Sequence, residues 1–516
     1  MSMPKRLLTF AFIATTAFSF FAYGPEATAQ SDSRHQALPM PSVFRLSPAP
    51  YEPPASQKLT REEQTAIRNE KRAWSAENRK ALTLISKGKS LVKTALAEGG
   101  DVTSNAEALK FLENYTFPSM TQTDPDTLSS LGTKRQEFLK NYLNDRVTGT
   151  ARVKMIDLSI EKLQAQSIDP TLHPSARVNA VVLMRQLTDR PLSRGQAPIA
   201  SAKALKVLLA IVDGKDEKQY PEFLKIAALS GINYQLDINS EAQQSLAPGD
   251  KTQLVSTISE LIAAPVDPEK GAGAYWQKRQ AVQLAGVIKA SKMLPLLLAI
   301  LDDDASSLPL KLDVVQAIAK GAVGNSPKNN SDALLSICKF AESAIGGEAV
   351  RIQEAVDQMV RNGILFGSDD LKATGADFEP ENAGLNNRLD NRFDGPSGKG
   401  KIVELPNYEL GISRNRLRSV AMFCQQAIGT SNQTGLRQNL DTKAETLASR
   451  TVGQLNSLMV ETTVGLIDVE RRRVNGEPTA EDEDRFRQRS YVDQMIKVCN
   501  DSAGALAAQL ANYTSE

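Results

Sequence analysis

The stretch HPSARVNAVVLMRQL, His173–Leu187, decides how the whole chain is read. Ala180, Leu183 and Leu187 stand at positions 0, +3 and +7, which puts three apolar side chains on one helical face. Arg177 precedes the first of them by three residues. The arrangement returns three times. PEFLKIAALSGINYQL (Pro221–Leu236) carries Lys225 before Leu229, Ile232 and Leu236. WQKRQAVQLAGVI (Trp276–Ile288) carries Lys278 before Ala281, Leu284 and Ile288. LPLKLDVVQAIAKGA (Leu308–Ala322) carries Lys311 before Val315, Ile318 and Ala322. The steps from anchor to anchor are 49, 52 and 34 residues, irregular but bracketing the length of a two-helix repeat.

Other apolar helices are expected between and around these units, at Arg152–Ala165, Ile199–Val212, Thr252–Ala263, Met293–Leu301 and Asp332–Ala344. Alternating helices with short connections form the pattern of an antiparallel helical solenoid. HPSARVNAVVLMRQL and WQKRQAVQLAGVIK resemble the second helix of a HEAT-type repeat, over about residues 150–346. The resemblance implies a curved α-solenoid whose second helices line a concave face. It carries over no catalytic residues, because such families bind.

Outward from the array, Thr60-Arg-Glu-Glu63 is a capping box that should open a helix running to about Ala97. Asn105–Tyr115 reads as a short helix, Thr121–Leu131 as turn-rich around Asp124-Pro125-Asp126, and Lys134–Leu143 as a further helix. Tyr115, Phe117, Phe138 and Tyr142 read as a local aromatic core, the other reading being the lining of a groove. Beyond Gly346, Glu348–Arg361 is one more helix and Asp369–Leu405 a long polar loop. Ser413–Ile428 resumes the helical period with Gly429 as its stop. Leu436 to about Arg473 and Thr479 to about Asn512 make a final hairpin around Asn475-Gly476-Glu477-Pro478.

Residues 1–29 read as a signal peptide, with Lys5 and Arg6, an apolar stretch from Leu7 to Tyr23, and Ala27-Thr28-Ala29 as the cleavage site. Residues 30–59 are a Pro-rich linker. The remaining divisions are a helical region over 60–149, the repeat array over 150–346, a helix plus polar loop over 347–412, and a C-terminal helical region over 413–516. The full chain carries 61 Lys and Arg against 60 Asp and Glu. The leader removes Lys5, Arg6 and Glu26, so the mature chain balances at zero and has no global field to draw nucleic acid or anionic lipid. No other run is apolar and long enough to span a bilayer, so no transmembrane segment is expected in the mature chain.

Chemistry is sparse. His35 and His173 are the only histidines, and no Cys/His cluster or H-E-x-x-H motif is present, so no metal site is expected. No G-x-S-x-G elbow or phosphate-binding loop occurs, and no cofactor is expected. Asp302-Asp303-Asp304 reads as a polar turn supplying an N-cap, and His173 as a turn or cap residue. Three cysteines in an exported chain allow one disulfide, for which Cys424 and Cys499 are the candidate pair; the other reading is three buried small side chains. Arg177, Lys225, Lys278 and Lys311 are the candidate partner-binding residues, a cationic row if the units stack. The competing reading has them bridge to acids or to helix C-terminal carbonyls of neighbouring units.

These readings predict an all-α protein, a solenoid of antiparallel helix pairs with helical N- and C-terminal extensions. The expected function is that of a non-catalytic scaffold or protein-binding module, exported to the periplasm or cell envelope or beyond it. The alternative is a carboxylate-dependent lyase or hydrolase acting on envelope or extracellular polysaccharide.

Overall fold

A computed structural model describes residues 35–47, 59–192, 197–238, 247–266, 272–321, 323–324, 326–361, 407–431, 434–474 and 481–515. Residues 356–361, 407–410, 463–474 and 481–493 are described as backbone only. The expected signal peptide, the Asp369–Leu405 loop and the turn at Asn475–Pro478 lie outside these residues. The fold is all-α, with 79% helix and 2% strand. Among the described residues sixteen helices pack against their neighbours, in a manner compatible with a helical repeat. Two compact units divide between Gly231 and Ile232.

The first unit opens with α1 (Arg61–Glu77) and α2 (Arg79–Ala97). The capping box forms as expected. The Glu63 amide donates to Thr60 Oγ1 at 3.3 Å, and the Thr60 amide donates back to Glu63 Oε2 at 2.7 Å. The single helix expected to Ala97 is interrupted at Asn78, whose side chain turns to the segment thought to be a linker. Asn78 Nδ2 donates to Ser47 Oγ at 2.7 Å, and Asn78 Oδ1 accepts from the Ser47 amide at 2.9 Å. Trp74 Nε1 donates to the Ser47 carbonyl at 2.8 Å. Residues 35–47 are therefore docked. The Leu38 amide donates to Thr121 Oγ1, the Gln36 amide donates to the Thr171 carbonyl, and Phe44 packs on Phe111 and Tyr115. Backbone partners and an aromatic anchor hold a Pro-rich segment that composition alone reads as loose.

Next come α3 (Ala106–Phe111), α4 (Pro125–Tyr142), α5 (Gly149–Ile168), α6 (Pro174–Met184) and α7 (Ala202–Asp213). Asp124-Pro125 is a helix start instead of a turn. Asp124 accepts from the Thr127 amide at 2.8 Å, and Pro125 occupies the first turn, where its missing N–H costs nothing. Phe117, Phe138 and Tyr142 are buried and stack as a chain, with ring centroids 5.7 and 5.5 Å apart. A two-stranded hairpin, β1 (Thr188–Arg190) and β2 (Ile199–Ala200), was not anticipated. Buried Arg152 on α5 ties its first strand down, donating to the Thr188 carbonyl at 2.8 Å and to the carbonyls of Leu143 and Asn144.

Helix α8 (Glu222–Ile238) contains the division between units. The second unit continues with α9 (Pro248–Ala263), α10 (Ala272–Val287), α11 (Leu294–Asp302) and α12 (Leu308–Ala319). A bundle follows, built of α13 (Pro327–Arg361), α14 (Asn407–Ile428), α15 (Thr442–Val474) and α16 (Glu481–Ser515). The two helices expected on either side of Gly346-Gly347 are one helix, α13. Ile345, Ala349 and Ile352 are buried along it, and that packing outweighs the cost of about 1 kcal/mol for each interior glycine.

Candidate functional site

The four repeat helices, α6, α8, α10 and α12, bury the face that the 0, +3, +7 spacing marks. In the first unit Ala180, Leu183, Leu187 and Leu229 are fully enclosed. In the second Ile232, Leu236, Ala281, Leu284, Val315 and Ile318 are buried and Ile288 is half-buried; Ala322 lies outside the described residues. α10 and α12 meet closely at Gly286, where a Cβ would stand 2.6 Å from Ala317 Cα.

Of the four expected partner-binding cations, two are engaged with backbone, one in each unit. Arg177 is 5% exposed. Its Nε donates to the Ser167 carbonyl in the last turn of α5 at 2.8 Å, a second nitrogen donates to the Gln219 carbonyl, and the guanidinium lies 5.7 Å over Phe223. Burial lowers its pKa, and Asp169 acts in the opposite sense. Lys278 Nζ donates to the Ala264 carbonyl at the C-terminus of α9, at 3.0 Å. Burial lowers its pKa as well, against the pull of Asp303. Lys311 is buried and acts on the Asp303 carboxylate, whose pKa is lowered chiefly by Ser306 and the Ala305 amide. Lys225 is half-buried. For Arg177 and Lys278 the geometry is that of the bridging reading, with each cation closing the carbonyl end of the helix that precedes its own.

A different row runs along the repeat helices, side chain to side chain. In the second unit Asn233 on α8 donates to Gln283 Oε1 at 3.2 Å. Gln283 Nε2 donates to Asp313 Oδ1 on α12 at 2.8 Å, and Arg279 Nε donates to Asp313 Oδ2 at 2.5 Å. Asp313 is 7% exposed at its side chain and Arg279 is 19% exposed. The Arg279 guanidinium lies 4.9 Å over the Trp276 ring and 5.9 Å over Tyr275. Tyr275 and Trp276 are themselves edge to face, 5.9 Å apart, and the Tyr275 hydroxyl shares a 2.8 Å hydrogen bond with Ser307. Trp276 remains 38% exposed. The result is an indole at the surface, backed by a guanidinium that a buried carboxylate holds in place. Desolvated, oriented arginines beside exposed aromatics are the composition of binding hot spots. The sequence carried a signal that went unread: Trp276, Arg279 and Gln283 follow the same 0, +3, +7 spacing on the opposite face of α10.

His173 caps α6, its Nδ1 accepting from the Ser175 amide at 3.1 Å. His35 meets it edge to face with ring centroids 5.3 Å apart, a proximity the sequence did not suggest. Asp303 forms a local turn, accepting from the Ala305 amide at 3.0 Å and from Ser306 Oγ at 2.7 Å, while Ser307 stands at the N-cap of α12. Cys424 and Cys499, expected to pair, are separate, fully buried thiols. α14 packs against α12, α13 and α15, and α16 against α13 and α15, so the two cysteines sit on helices that share neighbours. Cys338 shares a 3.3 Å hydrogen bond with Thr451 Oγ1. Among the described residues no group of three or more His, Cys, Asp or Glu could hold a metal ion, and no helix is long and apolar enough to cross a membrane.

Comparison with protein-family models, with characterised proteins and with solved structures returns no match.

Proposed function

We propose that the protein is a non-catalytic protein-binding module, exported and built on HEAT-like repeats, whose second helices present the binding face. The observation that carries this reading is the Trp276–Arg279–Asp313 arrangement. Trp276 leaves part of its indole at the surface, and the ring is fixed by a guanidinium that is itself fixed by Asp313. Rigid aromatic anchors lose little conformational entropy on binding, so preorganisation of this kind favours capture of a partner surface. The alternative, a carboxylate-dependent enzyme on polysaccharide, draws less support from the same row. Its acid, Asp313, is engaged on both oxygens by Arg279 and Gln283.

Export rests on the leader-like residues 1–29, and the periplasm or cell envelope is the proposed location. The test is capture from envelope extract by the tagged mature chain and by its Trp276→Ala variant in parallel, with mass spectrometry of both eluates. A protein retained by the first and lost from the second supports the reading. Retention of an oligosaccharide, or identical eluates, counts against it.

A further inference from the structure

Residues 38–47, LPMPSVFRLS, lie on the first unit as a ligand lies on a receptor. None of these ten residues is buried, and Val43 and Leu46 keep 50% and 38% of their surface in solvent. The unit grips the main chain at both ends. Thr121 Oγ1 accepts from the Leu38 amide at 3.0 Å, and Gln122 Nε2 donates to the Leu38 carbonyl at 3.2 Å. Asn78 Oδ1 accepts from the Ser47 amide at 2.9 Å, and Trp74 Nε1 donates to the Ser47 carbonyl at 2.8 Å. Between these ends one side chain enters. Phe44 packs on Phe111 and Tyr115, with ring centroids 5.9 and 5.4 Å away.

The receiving wall is built from the fold. Thr121, Phe111 and Asn78 are buried. Gly88 on α2 makes room for the Phe111 ring, which a Cβ there would overlap. The segment itself is close to polyproline II on both sides of its single turn at Ser42–Phe44, with Pro41 at φ −54°, ψ 141° and Arg45 at φ −76°, ψ 131°. An aromatic platform beside polar side chains that read the main chain is how extended, proline-containing peptides are recognised. The main-chain bonds tolerate changes in peptide sequence, and the paired rings select an aromatic residue. Because the segment commits no buried side chain, little holds it against a competitor beyond its attachment to the same chain.

We propose that Trp74, Asn78, Phe111, Tyr115, Thr121 and Gln122 form a peptide-binding groove that residues 38–47 fill as a tethered pseudo-ligand. Its external partner is an extended segment of another protein carrying a proline three residues before an aromatic residue, as Pro41 stands before Phe44. An occupant on the same chain competes at an effective concentration on the order of millimolar, so the partner binds by displacing it. The groove lies wholly in the first unit and does not rest on the Trp276 row.

The experiment uses the mature full chain and its double variant Leu38→Pro with Phe44→Ala, which removes two anchors from the segment and none from the groove. Release of the segment is read as tryptic cleavage after Arg45, which the double variant should accelerate at least about tenfold. Binding is read by fluorescence anisotropy with labelled LPMPSVFRLS and with the same peptide carrying Ala in place of Phe. The first peptide should bind the double variant at least about tenfold more tightly than the parent chain, and more tightly than the Ala peptide by a similar factor. Tyr115→Ala or Gln122→Ala, added separately to the double variant, should weaken it. A segment that stays protected in the double variant is a fixed part of the fold and overturns the proposal. So does a released segment with no peptide binding, or binding indifferent to the Phe ring and to both groove substitutions. Sedimentation of the parent is run alongside; a dimer that the double variant loses makes a second copy the occupant and likewise overturns it.

Discussion

Arg177 donates through Nε to the carbonyl of Ser167 at 2.8 Å and thereby closes the last turn of the helix before its own. The contact converts an apparent surface cation into an internal fastening. Arg177→Ala should destabilise the protein by about 2–3 kcal/mol, because the carbonyl of buried Ser167 would be left without its donor and the hydrogen bond to Gln219 would be lost. Lys278→Ala, at a more open carbonyl, should cost about 0.5–1 kcal/mol. Urea unfolding of the two variants checks the ordering. Equal, negligible losses would restore the cationic row to the surface.

Helix α10 ends on an unusual residue. Lys289 has φ 53°, and the Ala290 amide donates back to the Ala285 carbonyl at 3.0 Å, the hydrogen bond of a left-handed helix stop. A lysine is strained there and glycine is not. Lys289→Gly should stabilise by about 0.5–1 kcal/mol. Three residues earlier, Gly286→Ala should do the opposite, since the Cβ would enter the backbone of α12 at Ala317. A loss of about 2 kcal/mol or more is expected from overpacking. Thermal melts of the two single variants should shift in opposite directions.

The buried thiols make stability fall in alkali. Burial pushes Cys338 and Cys499 up to about 12 and raises Cys424 as well. In the unfolded chain a cysteine ionises near pH 8.5, as roughly expected for a free thiol. Above that pH the unfolded state releases protons that the folded state retains, so stability is intact below about pH 8.5 and declines as pH rises toward 12. The limiting slope is about 1.4 kcal/mol per pH unit for each thiol. Denaturant titrations from pH 8 to 10 should show this slope, and Cys338→Ala should reduce it. Native protein at pH 8 should also fail to react with a thiol reagent that modifies three cysteines once the chain is unfolded.

Much of the fold was legible because it is written in short-range periodicity. Ala180, Leu229, Ala281 and Val315 are buried as their spacing requires, and the caps at Thr60 and His173 form as local chemistry dictates. What was missed depends on distant segments. The docking of residues 35–47 rests on Thr121, Thr171 and Asn78, and the continuity of α13 through two glycines rests on packing against other helices of its bundle. The engagement of Arg177 and Lys278 with backbone was illegible for the same reason. A cation three or four residues before an anchor looks alike whether it meets solvent or a carbonyl, and only the position of α5 and α9 decides for Arg177 and Lys278.

The central claim, that the row led by Trp276 captures a protein, is tested most directly by the affinity of the captured partner for Trp276→Ala. At least a roughly tenfold loss is expected, as a central aromatic anchor should give, with the melting temperature of the variant within about 2 °C of the parent. Unchanged affinity in a variant that melts like the parent would contradict it.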